Sequence, residues 1–248
     1  MNDHDIARHL AQRAGDLLMG LRASHTTETP DELAALADVS ANDLLMTLLS
    51  EFCPHDSVLS EESFDDKSRL VAERVWIIDP LDGSWHFSVG DEDFAVHIAL
   101  WEKGKGITAA SVYAPAAQHM MSMDDDVLSL PMPSHLRLII SRMRPPQNLV
   151  TLQEKLSTET GNNVEVIQCG SVGAKLERMI AGQADVYINQ DGFYEWDIAA
   201  PLGVASHYGY TVCDIEGNQI DLNKPNTKVA NAVICHPEFV AAVMKSLA

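Results

Sequence analysis

The segment Asp79-Pro80-Leu81-Asp82-Gly83-Ser84 sets two carboxylates three residues apart, directly after the apolar run Val75-Trp76-Ile77-Ile78. That run reads as a buried strand. Pro80 has no N–H to donate and is expected to end the strand pairing. Gly83 lets the backbone come close to a ligand, and Ser84 can cap a following helix. Acids that take cations, beside a helix start that takes an anion, suit metal ions and a phosphate. The same residue types also build an ordinary strand-to-helix turn. Only partners from elsewhere in the chain can separate the two readings.

Two further acids sit at element boundaries, where a fold can gather side chains from distant segments. Glu61 follows the short strand Val58-Leu59-Ser60, and Asp197 opens a helix after Glu195-Trp196. A cluster of carboxylates without cations repels itself and raises its own pKa values. Hard oxygen ligands with no accompanying His or Cys set favour Mg²⁺ over zinc. Phosphoryl transfer fits this inventory, because it needs charge neutralisation and in-line placement more than covalent help. Two ions about 4 Å apart can hold the attacking and the leaving oxygen. A water activated by the metal can then attack, and no Ser or Cys nucleophile is apparent.

Ser60-Glu61-Glu62, Asp79-Pro-Leu-Asp-Gly-Ser84 and Glu195-Trp-Asp-Ile-Ala-Ala200 resemble, in this order, the three signatures of the inositol monophosphatase superfamily. These are Mg²⁺-dependent, lithium-sensitive phosphomonoesterases. Within it the chain is most similar to bacterial 3'-phosphoadenosine-5'-phosphate phosphatases of the CysQ type, through Val58–Glu62, Arg74–Gly83, Ala95–Trp101, Gly170–Lys175 and Glu195–Asp197. The resemblance implies a layered αβαβα sugar-phosphatase fold. It also implies two or three Mg²⁺ ions. Glu61, Asp79 and the Leu81 carbonyl would hold one. Asp79 would bridge to a second, held also by Asp82 and Asp197, and a third would sit near Glu61 through water. Asp43 and Ser84 match the pair that positions and activates the attacking water, with Glu62 behind the ligands. The amides of Gly83 and Ser84 would bind phosphate oxygens.

Simpler roles stand beside these. Asp43 has capping-box spacing from Ser40, and Asp197 at a helix start also complements the helix dipole. His97, on an expected strand, reads as a core residue or a neighbour rather than a ligand. Lys175 matches a basic position near the substrate, although a lysine in the first turns of a helix is commonly solvated.

The chain departs from the family right after the metal motif. Nucleotidases of this type commonly carry a basic residue and then an acid there, whereas this chain has Trp85-His86. Ser84 keeps the hydroxyl. Trp85 removes a positive charge, and a protonated His86 cannot accept as an acid or an amide does. Ser141, Arg142, Arg144 and Lys175 supply charge and polarity either for a second phosphate or for a polar rim. The expected substrate is a small phosphorylated metabolite, first a nucleotide such as 3'-phosphoadenosine 5'-phosphate, hydrolysed to AMP and phosphate. The alternatives are a nucleoside 5'-phosphate, a sugar phosphate or an inositol phosphate in a specialised pathway, or a non-catalytic metal-dependent binding protein.

Hydrophobic periodicity supplies the elements that must position these residues. A first amphipathic helix carries Ile6, Leu10, Ala14, Leu17, Leu18 and Leu21. Residues 22–38 read as a loop with a short helical turn near Glu32–Ala37, and a second helix is predicted over Ala41–Phe52. Phe94–Trp101 alternates with period two, and Ile107–Tyr113 and His119–Met123 complete a mainly antiparallel set. Residues 124–135, acidic and then rich in Pro and Ser, mark a boundary between an N-terminal α+β half (1–135) and a C-terminal mixed α/β half (136–248). In the second half, strands are predicted at Leu136–Ser141, Val164–Ile167, Asp185–Ile188 and Val229–Cys235. Helices are predicted after Pro145 or Pro146, and at Ser171–Ala181, Asp197–Tyr208 and Pro237–Leu247. A hairpin is predicted around Glu216-Gly217-Asn218, joining Tyr210–Ile215 to Gln219–Leu222.

Composition narrows the partners. The 248 residues carry a formal net charge of −19, from 17 basic and 36 acidic residues. A field of that sign repels polynucleotides and anionic membranes, although bound Mg²⁺ can reverse it locally for a small phosphorylated substrate. The apolar runs are too short to span a bilayer, and the acidic N-terminus does not read as a signal peptide. Cys53, Cys169, Cys213 and Cys235 form no C-x-x-C pair and read as free thiols in a reducing compartment. The expectation is a cytoplasmic enzyme, with a homodimer implied by the resemblance.

Overall fold

The computed structural model describes residues 1–25, 28–127 and 129–248. Two helices, α1 (Asp3–Ser24) and α2 (Pro30–Phe52), precede β1 (Ser57–Ser60), β2 (Arg74–Asp82), the short α3 (Ser84–Ser88), β3 (Ala95–Glu102), β4 (Gly106–Ala114) and β5 (His119–Ser122). There follow β6 (Arg137–Ser141), α4 (Leu149–Thr160), β7 (Glu165–Cys169), α5 (Val172–Ile180), β8 (Val186–Asn189), β9 (Phe193–Tyr194) and α6 (Glu195–His207). The chain ends with β10 (Thr211–Cys213), β11 (Lys228–Val229), β12 (Ala232–Cys235) and α7 (Val240–Leu247).

The first sheet has the order β1-β2-β3-β4-β5, and only the β1–β2 pair is parallel. The second has the order β10-β12-β8-β6-β7, with β6 parallel to both its neighbours and β12 antiparallel to both of its own. Strand alternation sends successive side chains to opposite faces. Trp76 and Ile78 pack with Leu10, Leu18 and Leu45 of α1 and α2, whereas Val75 and Ile77 pack with Ile198 and Val204 of α6. The second sheet gives Ile139, Tyr187 and Ile234 to that same central layer, and Leu138, Ile140 and Val233 to α4 and α7. The layers are therefore αβαβα. Both sheets are covered on both faces, so β3 is buried along Ala95–Leu100 rather than on alternate residues.

Several boundaries differ from expectation. α2 starts at Pro30, where a missing N–H is harmless. Its capping box is Thr29 with Glu32, not Ser40 with Asp43, so the long loop over residues 22–38 largely dissolves into α1 and α2. Positions 26 and 27 of that segment, and position 128 of the expected boundary, lie outside the described residues. α2 is long and apolar enough to cross a membrane. Here Leu33, Ala37, Ala41, Leu45 and Leu49 lie in the core against α1 and the first sheet.

The predicted hairpin is a turn without a second strand. Asn218 N–H donates to Asp214 Oδ1 at 2.7 Å, but β10 pairs with β12 instead. Ile220 and Leu222 pack on the central core, and the next two amides, of Asn223 and Lys224, donate to buried Glu195 at 2.7 and 2.9 Å. The helix expected after the prolines begins only at Leu149, and a 3₁₀ turn (Pro237–Phe239) precedes α7. All four cysteines are unbridged.

Candidate active site

Two aspartates three apart on a regular strand would face opposite ways. β2 avoids this with a bulge: Asp79 pairs with His97 and Asp82 with Ala95, so three residues on β2 oppose two on β3. Pro80 sits in the bulge, where no ladder hydrogen bond is required of it. It therefore does not end the pairing, as the sequence suggested. Leu81 joins the α1–α2 core. Asp79 keeps the face of Val75 and Ile77, toward α6, and the bulge returns Asp82 to that face.

Asp197 lies in the first turn of α6, and its Oδ2 accepts the Tyr194 N–H at 2.7 Å. Carboxylate oxygens of Glu61, Asp79 and Asp197 all lie within 4.8 Å of one another. Asp79 is 1% exposed, and its Oδ1 accepts the Leu81 N–H at 3.1 Å. Its buried Oδ2 has no hydrogen-bond partner among the described residues. A desolvated carboxylate oxygen facing two more carboxylates is costly unless a cation joins them. The trio therefore fits a divalent metal ion.

The electrostatics agree. Burial, followed by Glu61, Asp82 and Asp197, drives the Asp79 carboxyl well above the usual range. Glu61 lines the cleft, exposed to solvent in part and shielded in part by its neighbours. That partial burial, then Asp197, Glu62, Asp82 and Asp38, push it up to about 8. Burial raises Asp197 to about 7, with Asp82 adding to the rise while the Tyr194 N–H and Arg144 oppose it.

Asp82 stands beside the trio, held from the other sheet's side. Its Oδ2 accepts the Gly173 N–H at 2.8 Å, from the first turn of α5. Fully buried His97 brings Nε2 to 3.3 Å from the same oxygen, without the alignment of a hydrogen bond. It is thus the neighbour expected rather than a member of the acidic trio. Gly83 has φ 91°, and a Cβ there would come 2.8 Å from the Asp93 carbonyl, so only glycine fits.

A cleft of about 270 Å³ opens over these acids. Leu81, Gly83, Ser84, Trp85, His86, Ser141 and Lys175 line it with Glu61, Asp79, Asp82 and Asp197. Trp85 is 49% exposed and meets His86 edge to face. His86 is buried, with Nδ1 3.0 Å from Asp91 Oδ2. Lys175 is also buried rather than solvated. Its Nζ donates to the Gly170 and Ser171 carbonyls, the latter at 2.9 Å, and lies 5.2 Å from the Tyr187 ring centre.

Three expected residues stay outside the cleft lining. Glu62 is exposed beside Glu61. The Arg142 guanidinium pairs with Asp91 and, at 2.5 Å, with Asp93, so its charge is committed within the protein. Asp43 is an exposed residue in mid-helix, neither a cap nor part of the acidic group. The carboxylate of α2 that faces the site is Asp38. Burial and then Glu62 raise it to about 7, and it acts in turn on Glu61. One turn on, Asn42 accepts the Ser60 hydroxyl at 2.7 Å, which ties this face of α2 to the end of β1. Asp93 was also missed. Its carboxylate accepts Gly170 N–H at 2.8 Å, Arg142 at 2.5 Å and Arg178 at 2.7 Å, joining the loop after α3 to α5.

The inositol monophosphatase family model matches residues 3–248. The 3'-phosphoadenosine 5'-phosphate phosphatase of Mycobacterium leprae is 36% identical over 257 residues, covering 98% of this chain and 93% of its own. The 3'(2'),5'-bisphosphate nucleotidase CysQ of Escherichia coli K12 is 30% identical over 228 residues, covering 88% and 92%. Among solved structures, CysQ from Bacteroides thetaiotaomicron superposes with a TM-score of 0.81 at 23% identity, over 94% of this chain and 97% of that one. The match runs through β1, the bulged end of β2 and the start of α6, and on that ground the chain belongs to the inositol monophosphatase family of metal-dependent phosphatases.

Proposed function

We propose that this phosphatase is Mg²⁺-dependent and hydrolyses 3'-phosphoadenosine 5'-phosphate to AMP and phosphate. The observation that carries the metal reading is the unpartnered, buried Oδ2 of Asp79 facing Glu61 and Asp197. The substrate reading is supported by the 36% identity to phosphatases named for that nucleotide. Glu61, Asp79, Asp82, Asp197 and the Leu81 carbonyl would hold two or three ions. Bound there, such ions would supply charge neutralisation for the transferring phosphoryl group and activation of the attacking water.

The chain's own groups do the rest. Gly83 and Ser84 present backbone N–H groups to phosphate oxygens at the cleft floor, and the Ser84 hydroxyl orients the water. The water-positioning carboxylate is Asp38 in place of Asp43, because Asp38 is the α2 acid turned toward Glu61 and Glu62. Glu62 supports Glu61 from behind. Residues 1–135 supply most of these groups, and residues 136–248 bring Asp197 and the substrate-facing wall. The homodimer implied by the resemblance belongs to the same proposal.

Phosphate release across nucleotide, sugar and inositol phosphates, with and without Mg²⁺, tests the reading. It requires dependence on Mg²⁺ and inhibition by lithium, and robust turnover in excess chelator would sink it. The indole of Trp85 and the Asp91-bound ring of His86 in the cleft favour one alternative, a dedicated phosphatase for another small phosphate monoester. A panel in which the bisphosphate nucleotide is best by a wide margin rejects that alternative.

A further inference from the structure

The turn after β6 carries two arginines with opposite fates. Arg142 is spent on Asp91 and Asp93. Arg144 lines the cleft, and its guanidinium makes no hydrogen bond or ion pair among the described residues. The turn is pinned at both arginines, since Arg142 N–H donates to the Cys169 carbonyl at 2.9 Å and Arg144 N–H to Ser141 Oγ at 3.1 Å. The free guanidinium is thus presented by a fixed backbone. It stands close enough to Asp197, Lys175 and Tyr187 to act on each electrostatically.

The other cation of the cleft, Lys175, is consumed by two backbone carbonyls. In a chain of net charge −19, an unpaired arginine at the rim of an acidic cleft is set for an anion. A guanidinium matches phosphate with a planar fork of donors. On the phosphatase reading above, the reacting phosphate would be held by the acidic trio's cations and the Gly83 and Ser84 amides. Arg144 comes from a separate element, between β6 and α4.

We propose that Arg144 binds the second, non-reacting phosphate of a bisphosphorylated nucleotide and so sets the preference for bisphosphates over monophosphates. This rests on the phosphatase reading above and adds the residue that selects the substrate class.

The test compares 3'-phosphoadenosine 5'-phosphate with 3'-AMP, which lacks only the 5'-phosphate, in wild type, Arg144→Ala and Arg144→Lys with Mg²⁺. In Arg144→Ala the ratio of kcat/KM for the two should fall about ten- to a hundredfold, through KM rather than kcat. Arg144→Lys should recover part of it, because the charge remains while the fork is lost. A wild-type preference kept in Arg144→Ala overturns the proposal. So does an equal loss on both substrates, which would place Arg144 on the reacting phosphate, and so does a wild type with no preference for the bisphosphate. If wild type releases phosphate from neither nucleotide, the substrate reading falls as well.

Discussion

Glu61 follows β1 and Asp197 opens α6, yet their carboxylate oxygens lie within 4.8 Å of each other and of Asp79. Folding without metal therefore forces together acids that repel. Glu61 is raised from 4.5 to about 8 and Asp197 from 3.8 to about 7, both mainly by burial. The folded protein thus binds more protons than the unfolded chain between the ordinary carboxylate range and about pH 8. Where the folded state holds the extra protons, stability falls as pH rises. The melting temperature in chelator should decline from about pH 4 to about pH 8 on account of these groups. Saturating Mg²⁺ should flatten the decline, because the cation replaces the protons. Calorimetric melts across this window, with and without Mg²⁺, check it, and parallel curves would refute the linkage.

Asp79→Asn separates stability from activity. The amide replaces the most buried carboxyl of the cluster, and it can donate toward Glu61 and Asp197 where the carboxylate oxygen had no partner. The metal-free variant should melt higher than wild type at neutral pH, because folding no longer has to protonate a carboxyl driven well above its ordinary range. Its Mg²⁺-induced rise in melting temperature should disappear, and kcat/KM should fall by more than about a hundredfold, beyond the loss typical of a residue that only supports a ligand. A variant that melts lower than wild type without metal would contradict the electrostatic account.

The acidic motifs were legible because strand, turn and helix-start chemistry are local. What sequence spacing does not show is how Asp79 and Asp82 come to share a face. That depends on a bulge opposite β3, a property of the pairing. The polar, acidic stretch 22–38 reads as a loop, but Pro30 is the first residue of α2, which puts Asp38 on the helix and leaves Asp43 on its exposed side. Arg142 and Arg144 look equivalent along the chain. Only the approach of Asp91 and Asp93 from the loop after α3 distinguishes them.

The two acids of α2 make a direct comparison. Asp38 faces Glu61 and Glu62, whereas Asp43, five residues on, is exposed. Asp38→Asn should lower kcat about ten- to a hundredfold or more, with KM much less affected, as for loss of a group that orients or deprotonates water. It should also shift the acidic limb of the kcat profile, since burial and Glu62 push Asp38 up to about 7. Asp43→Asn should stay within about twofold of wild type, as an exposed substitution away from the site does. Steady-state kinetics on both variants decide it, and the reverse ranking would restore Asp43.

Gly173 links the packing of the two halves to Asp82. Its N–H donates to Asp82 Oδ2, and α5 approaches β3 so closely there that an added Cβ would lie 2.4 Å from Ala95 Cβ and 2.5 Å from His97 Nε2. These neighbours are fully buried and cannot swing away. Gly173→Ala must therefore push α5 back, at a cost of about 1–3 kcal/mol for overpacking. For a chain of this length that is a drop of several degrees in melting temperature. The displacement also stretches the hydrogen bond that aims Asp82. The variant should accordingly need more Mg²⁺ for half-maximal activity, by a larger factor than its stability loss at assay temperature explains. Thermal melts and Mg²⁺ titrations of activity measure the two effects separately. An unchanged Mg²⁺ requirement, with the melting temperature lowered, would show that Asp82 does not depend on Gly173 for its position.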